Sequence, residues 1–163
     1  MKSVHLISPT WKGVLIAACM ITWLLIAFYV LRLPMGGISL YVSFGLYTTG
    51  IVWSLLASKM QNPEATFRTY FQEGFKTFIV ITFFSVAYIY LFYKFNPQLI
   101  EQFIQENEAL ARQNPELTIN EIKTNSEQIR KMYVPGSMFT YLIIHLLLGV
   151  LVTAVTGAFI QKK

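Results

Sequence analysis

Four long apolar runs dominate the pattern of hydrophobic and polar positions along this chain. They cover residues 13–33, 38–57, 75–93 and 137–160, and the few charged side chains within them lie near their edges. Each run approaches the roughly 20 residues that a helix needs to cross about 30 Å of hydrocarbon. Because every backbone N–H needs a partner inside lipid, and the runs do not alternate as barrel strands do, each run predicts a transmembrane helix.

One long polar segment lies between the third and the fourth run. Residues 96–136 carry two apolar stripes at helical spacing, interrupted by Asn114 and Pro115. The pattern predicts two amphipathic helices outside the hydrocarbon, which we call the arm. The predicted fold class is therefore an all-α integral membrane protein. Its single membrane domain, 1–163, is a four-helix bundle of four transmembrane helices, with an amphipathic two-helix arm between spans three and four.

The composition agrees with a membrane location. Apolar residues make up 55% of the chain and charged residues 13%, against about 25% charged residues in a soluble domain. The net charge of +5 could suggest nucleic acid. However, the basic residues are scattered along the edges of the apolar runs, as membrane flanks are, and form no single patch. We therefore expect the lipid bilayer, and no nucleic acid, as a partner.

The distribution of basic residues predicts the orientation. Four spans place both termini and the loop between spans two and three on one side of the membrane. That side carries seven basic residues, namely Lys2, Lys12, Lys59, Arg68, Lys76, Lys162 and Lys163. The other side carries six, of which Arg112 and Lys123 lie far from any span. The positive-inside rule then predicts a multi-pass protein of the bacterial inner membrane with both termini in the cytoplasm.

His145 is the candidate for chemistry inside the membrane. It lies about two turns into the fourth run, where an ionisable group is costly and indicates function. Tyr141, Gly149, Thr153 and Gly157 share its face at four-residue spacing, so we expect His145, Tyr141 and Thr153 to face the bundle interior. Two interpretations stay open. In the first, His145 relays protons or contacts a ligand. In the second, it is a neutral histidine that is hydrogen-bonded to a neighbouring helix. The lack of a second ionisable group at similar depth favours the second interpretation.

Small residues and one arginine complete the set of candidate residues. Gly149 and Gly157 on span four, with Gly50 and Ser54 on span two, form stripes that let helices approach closely, and we expect them to serve packing. Arg32 closes span one. It is expected to extend to the interface, where a lipid head group or an anion is its candidate ligand.

Motifs for chemistry are absent from the sequence. It has no Gly-rich phosphate loop, no His-Glu-x-x-His zinc pattern and no nucleophile elbow. With no Asp and two His, a metal site would need Glu residues of the arm. We therefore expect no catalytic, cofactor or metal site, and no enzyme.

Three stretches carry a family resemblance. They are FQEGFK at 71–76, YKFNP at 93–97 before a Glu-rich helix, and AFIQKK at 158–163. With them the chain resembles the domain-of-unknown-function 4199 proteins, small bacterial membrane proteins with four predicted spans. The resemblance implies a location and a topology and no activity, and the more polar arm with its own Pro115 departs from it.

Two functional hypotheses follow from the sequence. The first is a structural or accessory subunit that packs its helices against other membrane proteins or against copies of itself. The alternative is a small oligomeric transporter or channel that uses His145 in the bundle interior. A lipid-modifying protein with basic groups around a head group is the weakest of the interpretations.

Overall fold

The computed structural model describes residues 7–34 and 36–161. Within them the chain forms five α-helices: α1 (Pro9–Leu25), α2 (Ile38–Gln61), α3 (Phe67–Phe95), α4 (Gln98–Ala111) and α5 (Ile119–Gln161). No strand occurs in these two ranges. Helices α2, α3 and α5, and α1 together with the π-helical segment Ile26–Val30 that follows it, are long and apolar enough to cross a membrane. The prediction of an all-helical chain with four such helices is confirmed.

The connection between the first two membrane helices is short and strongly bent. After α1 the backbone widens into a π-helical segment, Ile26–Val30, and then turns through Arg32 and Gly37, which have φ values of 53° and 54°. The Trp23 indole N–H donates to the Ser39 carbonyl oxygen at 3.1 Å, which ties the end of α1 to the start of α2. The sequence indicated the turn but not the π-helical segment before it.

Helix α5 is longer than the apolar run that it contains. Its 43 residues pass through Pro135, so the second helix expected for the arm and the fourth span form one continuous helix. A proline inside a helix removes one backbone hydrogen bond, and a long helix can absorb that loss without ending. The helix starts instead at a capping box, in which Thr118 N donates to the Glu121 carboxylate and Glu121 N to the Thr118 hydroxyl.

The chain divides into two compact units, which we describe separately. The first unit comprises the described residues up to Ser85 and from Leu142 onward, and the second comprises Val86–Tyr141. Helices α3 and α5 contribute to both. The core of the first unit is formed by Ile16, Ala17, Met20, Tyr47, Ile51, Leu55, Tyr70, Phe78, Ile81 and Ile160. The buried apolar residues of the second unit are Tyr88, Ile89, Phe92, Ile104 and Ile122.

Candidate functional site

His145 lies in the interior of the first unit, with 2% of its surface exposed. Its imidazole is bordered by two aromatic rings of α2, with centroid distances of 4.9 Å to Tyr47 and 5.5 Å to Phe44. The Tyr47 hydroxyl donates to the His145 carbonyl oxygen at 2.6 Å. Two aromatic rings of α2 therefore lie against the imidazole, and the His145 carbonyl oxygen anchors α5 to α2.

The structure places Thr153 and Tyr141 in different units. Thr153 is fully buried in the first unit beside Gly74, and its hydroxyl has no hydrogen-bond partner in the described ranges. Tyr141 belongs to the second unit and is half-buried there. His145 and Thr153 are thus both buried on the part of α5 that belongs to the first unit, whereas Tyr141 lies on the part that belongs to the second.

Glycines occur where helices of the first unit approach most closely. A Cβ atom on Gly149 would lie 2.6 Å from the Phe78 ring, and one on Gly50 would lie 2.7 Å from Ile16. Both distances are too short for two carbon atoms, so these positions exclude side chains. Gly157 has more room, since the same atom would lie 3.4 Å from Phe67. The two tightest of the predicted packing glycines, Gly149 and Gly50, lie where α5 meets α2 and α3 and where α2 meets α1.

Ser54 belongs to a buried polar cluster at one end of the first unit. Its hydroxyl lies 2.9 Å from the Thr77 hydroxyl, and its carbonyl oxygen accepts from the Lys12 ammonium at 3.3 Å. The Thr77 hydroxyl lies 3.3 Å from the Pro9 carbonyl oxygen. The Glu73 carboxylate acts electrostatically on Lys12, which is 2% exposed. The cluster joins α1, α2 and α3 through groups that would be costly to bury alone.

A small cavity adjoins this polar cluster. It has a volume of about 300 Å³ and is lined by Ile7, Ser8, Pro9, Ser58, Gln61, Asn62, Thr69 and Glu73. Most of these side chains are uncharged and polar, and Glu73 supplies the acidic group. Lys12 does not line the cavity, and its ammonium is already hydrogen-bonded to α2.

Lys12 and Tyr47 are among the buried polar residues whose burial the sequence analysis did not predict. The sequence predicts Lys12 to be an interfacial flank, because lysines at the ends of spans normally reach water. A signal was present, since Lys12, Ile16 and Met20 recur every four residues and all three are buried. Tyr47 also lies on the buried stripe of its helix, with Ile51 and Leu55.

Arg32 lies apart from these groups. It is exposed, and its positive φ places it in the bend between α1 and α2. Gly37, in the same bend, has the second positive φ among the described residues. This backbone conformation is sterically unfavourable for arginine. The backbone of Arg32 therefore forms part of the turn independently of any contact of its guanidinium group.

The second unit combines an ion pair with an aromatic groove. Arg130 donates to both carboxylate oxygens of Glu101, at 2.8 Å and 2.7 Å, which joins α5 to α4. This hydrogen bonding by Arg130 holds the pKa of the Glu101 carboxyl below its usual value. The groove, of about 460 Å³, is lined by Tyr93, Phe103, Ile129, Met132, Tyr133, Gly136, Ser137, Thr140 and Tyr141.

The described residues include no group of three His, Cys, Asp or Glu side chains that could hold a metal ion. Comparisons with known proteins add a family. A family model described as "Protein of unknown function (DUF4199)" matches residues 12–162, which confirms the resemblance seen in the sequence. No curated protein and no solved structure matches the chain.

Proposed function

The chain belongs to the DUF4199 family, and on that premise we propose that it is a structural or accessory membrane subunit. It acts by packing its helices against other membrane proteins. The observation that carries the proposal is the direction of four hydrogen bonds between helices, two of them buried and two partly buried. Lys12, Trp23, Tyr47 and Lys59 each donate to a backbone carbonyl of another helix. Groups used in this way hold helices together and do not line a path for a solute.

The turn between α4 and α5 supplies a surface for a partner. Leu110, Leu117 and Ile119 are 66%, 42% and 85% exposed there. Charged side chains of Glu108, Arg112 and Lys123 line a cavity of about 420 Å³ with Ile119 and Ile122. In the arm proposed to lie outside the hydrocarbon, apolar side chains exposed beside charges are typical of a protein interaction site. The proposed partner is the water-exposed part of another membrane protein.

The proposed location is the bacterial inner membrane, with both termini in the cytoplasm and the arm on the outer side. It rests on the distribution of basic residues along the sequence. Three of those residues, Lys2, Lys162 and Lys163, lie outside the residues that the structure describes. The proposal contains no catalytic step and no cofactor.

Purification from the native membrane in mild detergent tests the accessory role. We expect a stoichiometric membrane protein to co-purify with the unmodified chain and to be lost from the double variant Leu110→Glu with Ile119→Glu. The matched control, Gln105→Glu with Asn125→Glu, adds the same charges at exposed positions of the same two helices and should keep the partner. A chain that is extracted as a monomer without a partner would overturn the proposal.

The second candidate function is a small transporter or channel formed by several copies. It is favoured by one observation, the burial of an ionisable side chain, His145, at 2% exposure inside a span. Solute flux into liposomes that disappears in His145→Ala, while Thr156→Ala on the same helix retains it, would support this function. Flux that is the same in both variants would remove His145 from any mechanism.

A further inference from the structure

The aromatic groove of the second unit has the composition of a ligand site. Its side chains come from α3, α4 and α5, and its volume of about 460 Å³ falls in the range of roughly 300–1,000 Å³ that small-molecule sites occupy. None of the lining side chains is charged. Four of them are aromatic and five carry hydroxyl groups, counting the three tyrosines in both sets. The groove therefore offers ring faces and hydrogen-bond donors together.

The rings are set at steep angles to one another. Tyr133 lies between Tyr93, at a centroid distance of 5.1 Å and an angle of 88°, and Phe103, at 5.0 Å and 57°. In such T-shaped and tilted pairs the edge of one ring lies against the face of the other, and the remaining ring faces are open to a ligand. The face of an aromatic ring carries negative potential and attracts a cation, above all an ammonium group that has lost water. A groove lined by aromatic rings and by no basic side chain suits an ammonium ligand better than a free carboxylate or phosphate.

Charge in the same part of the chain points the same way. The second unit, Val86–Tyr141, carries six Glu and five Lys or Arg, a net charge of −1 (5 − 6), whereas the whole chain carries +5. A surplus of carboxylates raises the local concentration of cations. One ring of this unit already holds an ammonium group, since Lys94 Nζ lies 5.8 Å from the centroid of Tyr90.

The position of the groove along the helices indicates where the ligand comes from. Tyr93 lies near the end of α3, at Phe95, and Ser137 opens the apolar run of α5. In an inserted chain these positions lie where hydrocarbon gives way to the headgroup layer. The ammonium groups available at that depth are carried by phospholipids, whose phosphates can accept hydrogen bonds from Ser137 and Thr140.

We propose that the aromatic groove binds the headgroup of a zwitterionic, ammonium-bearing membrane phospholipid. The ring faces of Tyr93, Phe103 and Tyr133 hold the ammonium, and the hydroxyls of Ser137 and Thr140 donate to the phosphate. The site is separate from the exposed turn proposed for a protein partner, so either proposal can fail while the other stands.

Native mass spectrometry of the full chain in detergent micelles tests the site. Phosphatidylethanolamine and phosphatidylglycerol with identical acyl chains are the two probes. We expect phosphatidylethanolamine to bind about tenfold more tightly, the size of one well-desolvated cation–π contact. Equal binding of the two lipids would overturn the proposal, because the acyl chains alone would then explain it.

Variants of the rings test the geometry. Tyr133→Phe keeps the ring and should retain the preference for phosphatidylethanolamine, whereas Tyr133→Leu should lose about tenfold in affinity. The matched control is Tyr90→Leu, the same change at a ring outside the groove, which should bind as the unmodified chain does. Phe103→Leu repeats the test if Tyr133→Leu does not fold. Unchanged binding in a folded leucine variant of the groove would contradict the proposal.

A soluble competitor distinguishes the source of the ammonium. Tetramethylammonium offers the charge without a phosphate or acyl chains. We expect it to displace phosphatidylethanolamine only at concentrations far above that of the lipid. Displacement at equal concentration would overturn the assignment to a lipid headgroup and leave a site for free alkylammonium ions.

Discussion

In the first unit, Lys12 and Tyr47 are buried and donate to main-chain carbonyls of neighbouring helices. In the second, the ion pair between Glu101 and Arg130 is half exposed, and α3, α4 and α5 meet through aromatic rings at the groove. Lys12 and Arg130 illustrate the contrast, since the first is 2% exposed and the side chain of the second is 51% exposed. A basic residue thus connects helices from the interior in the first unit and at the surface in the second.

The difference teaches where a substitution should matter. When a buried hydrogen-bond donor loses its acceptor, no water is present to replace it. Removing the acceptor is therefore costly. An exposed ion pair competes with water and salt, and its loss costs little. Helices of the first unit also approach closely at Gly149 and Gly50, so that a larger side chain at either position would clash with its neighbours. We therefore expect a steep gradient of effects from the first unit to the second.

The largest effect is expected at Tyr47, whose side chain is fully buried. Tyr47→Ala should lower the free energy of unfolding by about 3–5 kcal/mol, because it leaves a cavity the size of an aromatic ring. Tyr47→Phe keeps the ring and loses the hydrogen bond to His145, which should cost about 0.6 kcal/mol, the average for bonds between membrane helices. Titration with sodium dodecyl sulfate in mixed micelles measures both.

Tyr41→Ala is the control for this pair. It removes the same side chain from the same helix at a position that is 74% exposed, and should change the free energy of unfolding by less than about 0.5 kcal/mol. If Tyr47→Phe cost as much as Tyr47→Ala, the hydrogen bond and not the packed volume would dominate at this position.

Gly149→Ala should have the next largest effect. The added Cβ atom would lie 2.6 Å from the Phe78 ring, so the helices must separate, at a cost of about 1–3 kcal/mol. Gly45→Ala is the same change at a helix position with no neighbour within 4 Å. It should be neutral or stabilise by about 0.5–1 kcal/mol, because alanine restricts the unfolded chain. Equal unfolding free energies for the two variants would show that Gly149 is not a close-packing position.

Much of the fold could be predicted because long apolar runs have few alternatives in lipid. A run of about 20 apolar residues can satisfy its backbone hydrogen bonds in lipid only as a helix or in a closed barrel. The four apolar runs were therefore enough to predict four membrane-crossing helices. The expected break at the end of the arm did not occur. Pro135 removes one backbone hydrogen bond from a helix of 43 residues, which continues past it. In the sequence alone, a proline at this position gives the same signal as a true helix end.

The contacts of the candidate residues were harder to predict than the helices. Periodicity indicates which face of a helix is buried, but not which carbonyl a neighbouring helix presents. The bond from Lys12 to Ser54 joins residues 42 positions apart. The groove brings together rings of three helices, Tyr93, Phe103 and Tyr133. The spacing of these residues along the sequence does not predict that they lie close together.

The smallest effect is expected at the exposed ion pair. Arg130 lowers the pKa of Glu101 from its ordinary value of 4.5, so the pair's contribution to stability is fully present above pH 4.5 and is lost as the pH falls through the lowered value. In Arg130→Gln the Glu101 carboxyl should titrate closer to pH 4.5, as followed by NMR of the labelled side chain. Arg112→Gln, which removes the arginine 4.0 Å from Glu108, should leave this titration unchanged. If the midpoint for Glu101 did not move in Arg130→Gln, the ion pair would not persist in solution, and the contact between α4 and α5 would depend on the packing of Phe103 against Tyr133.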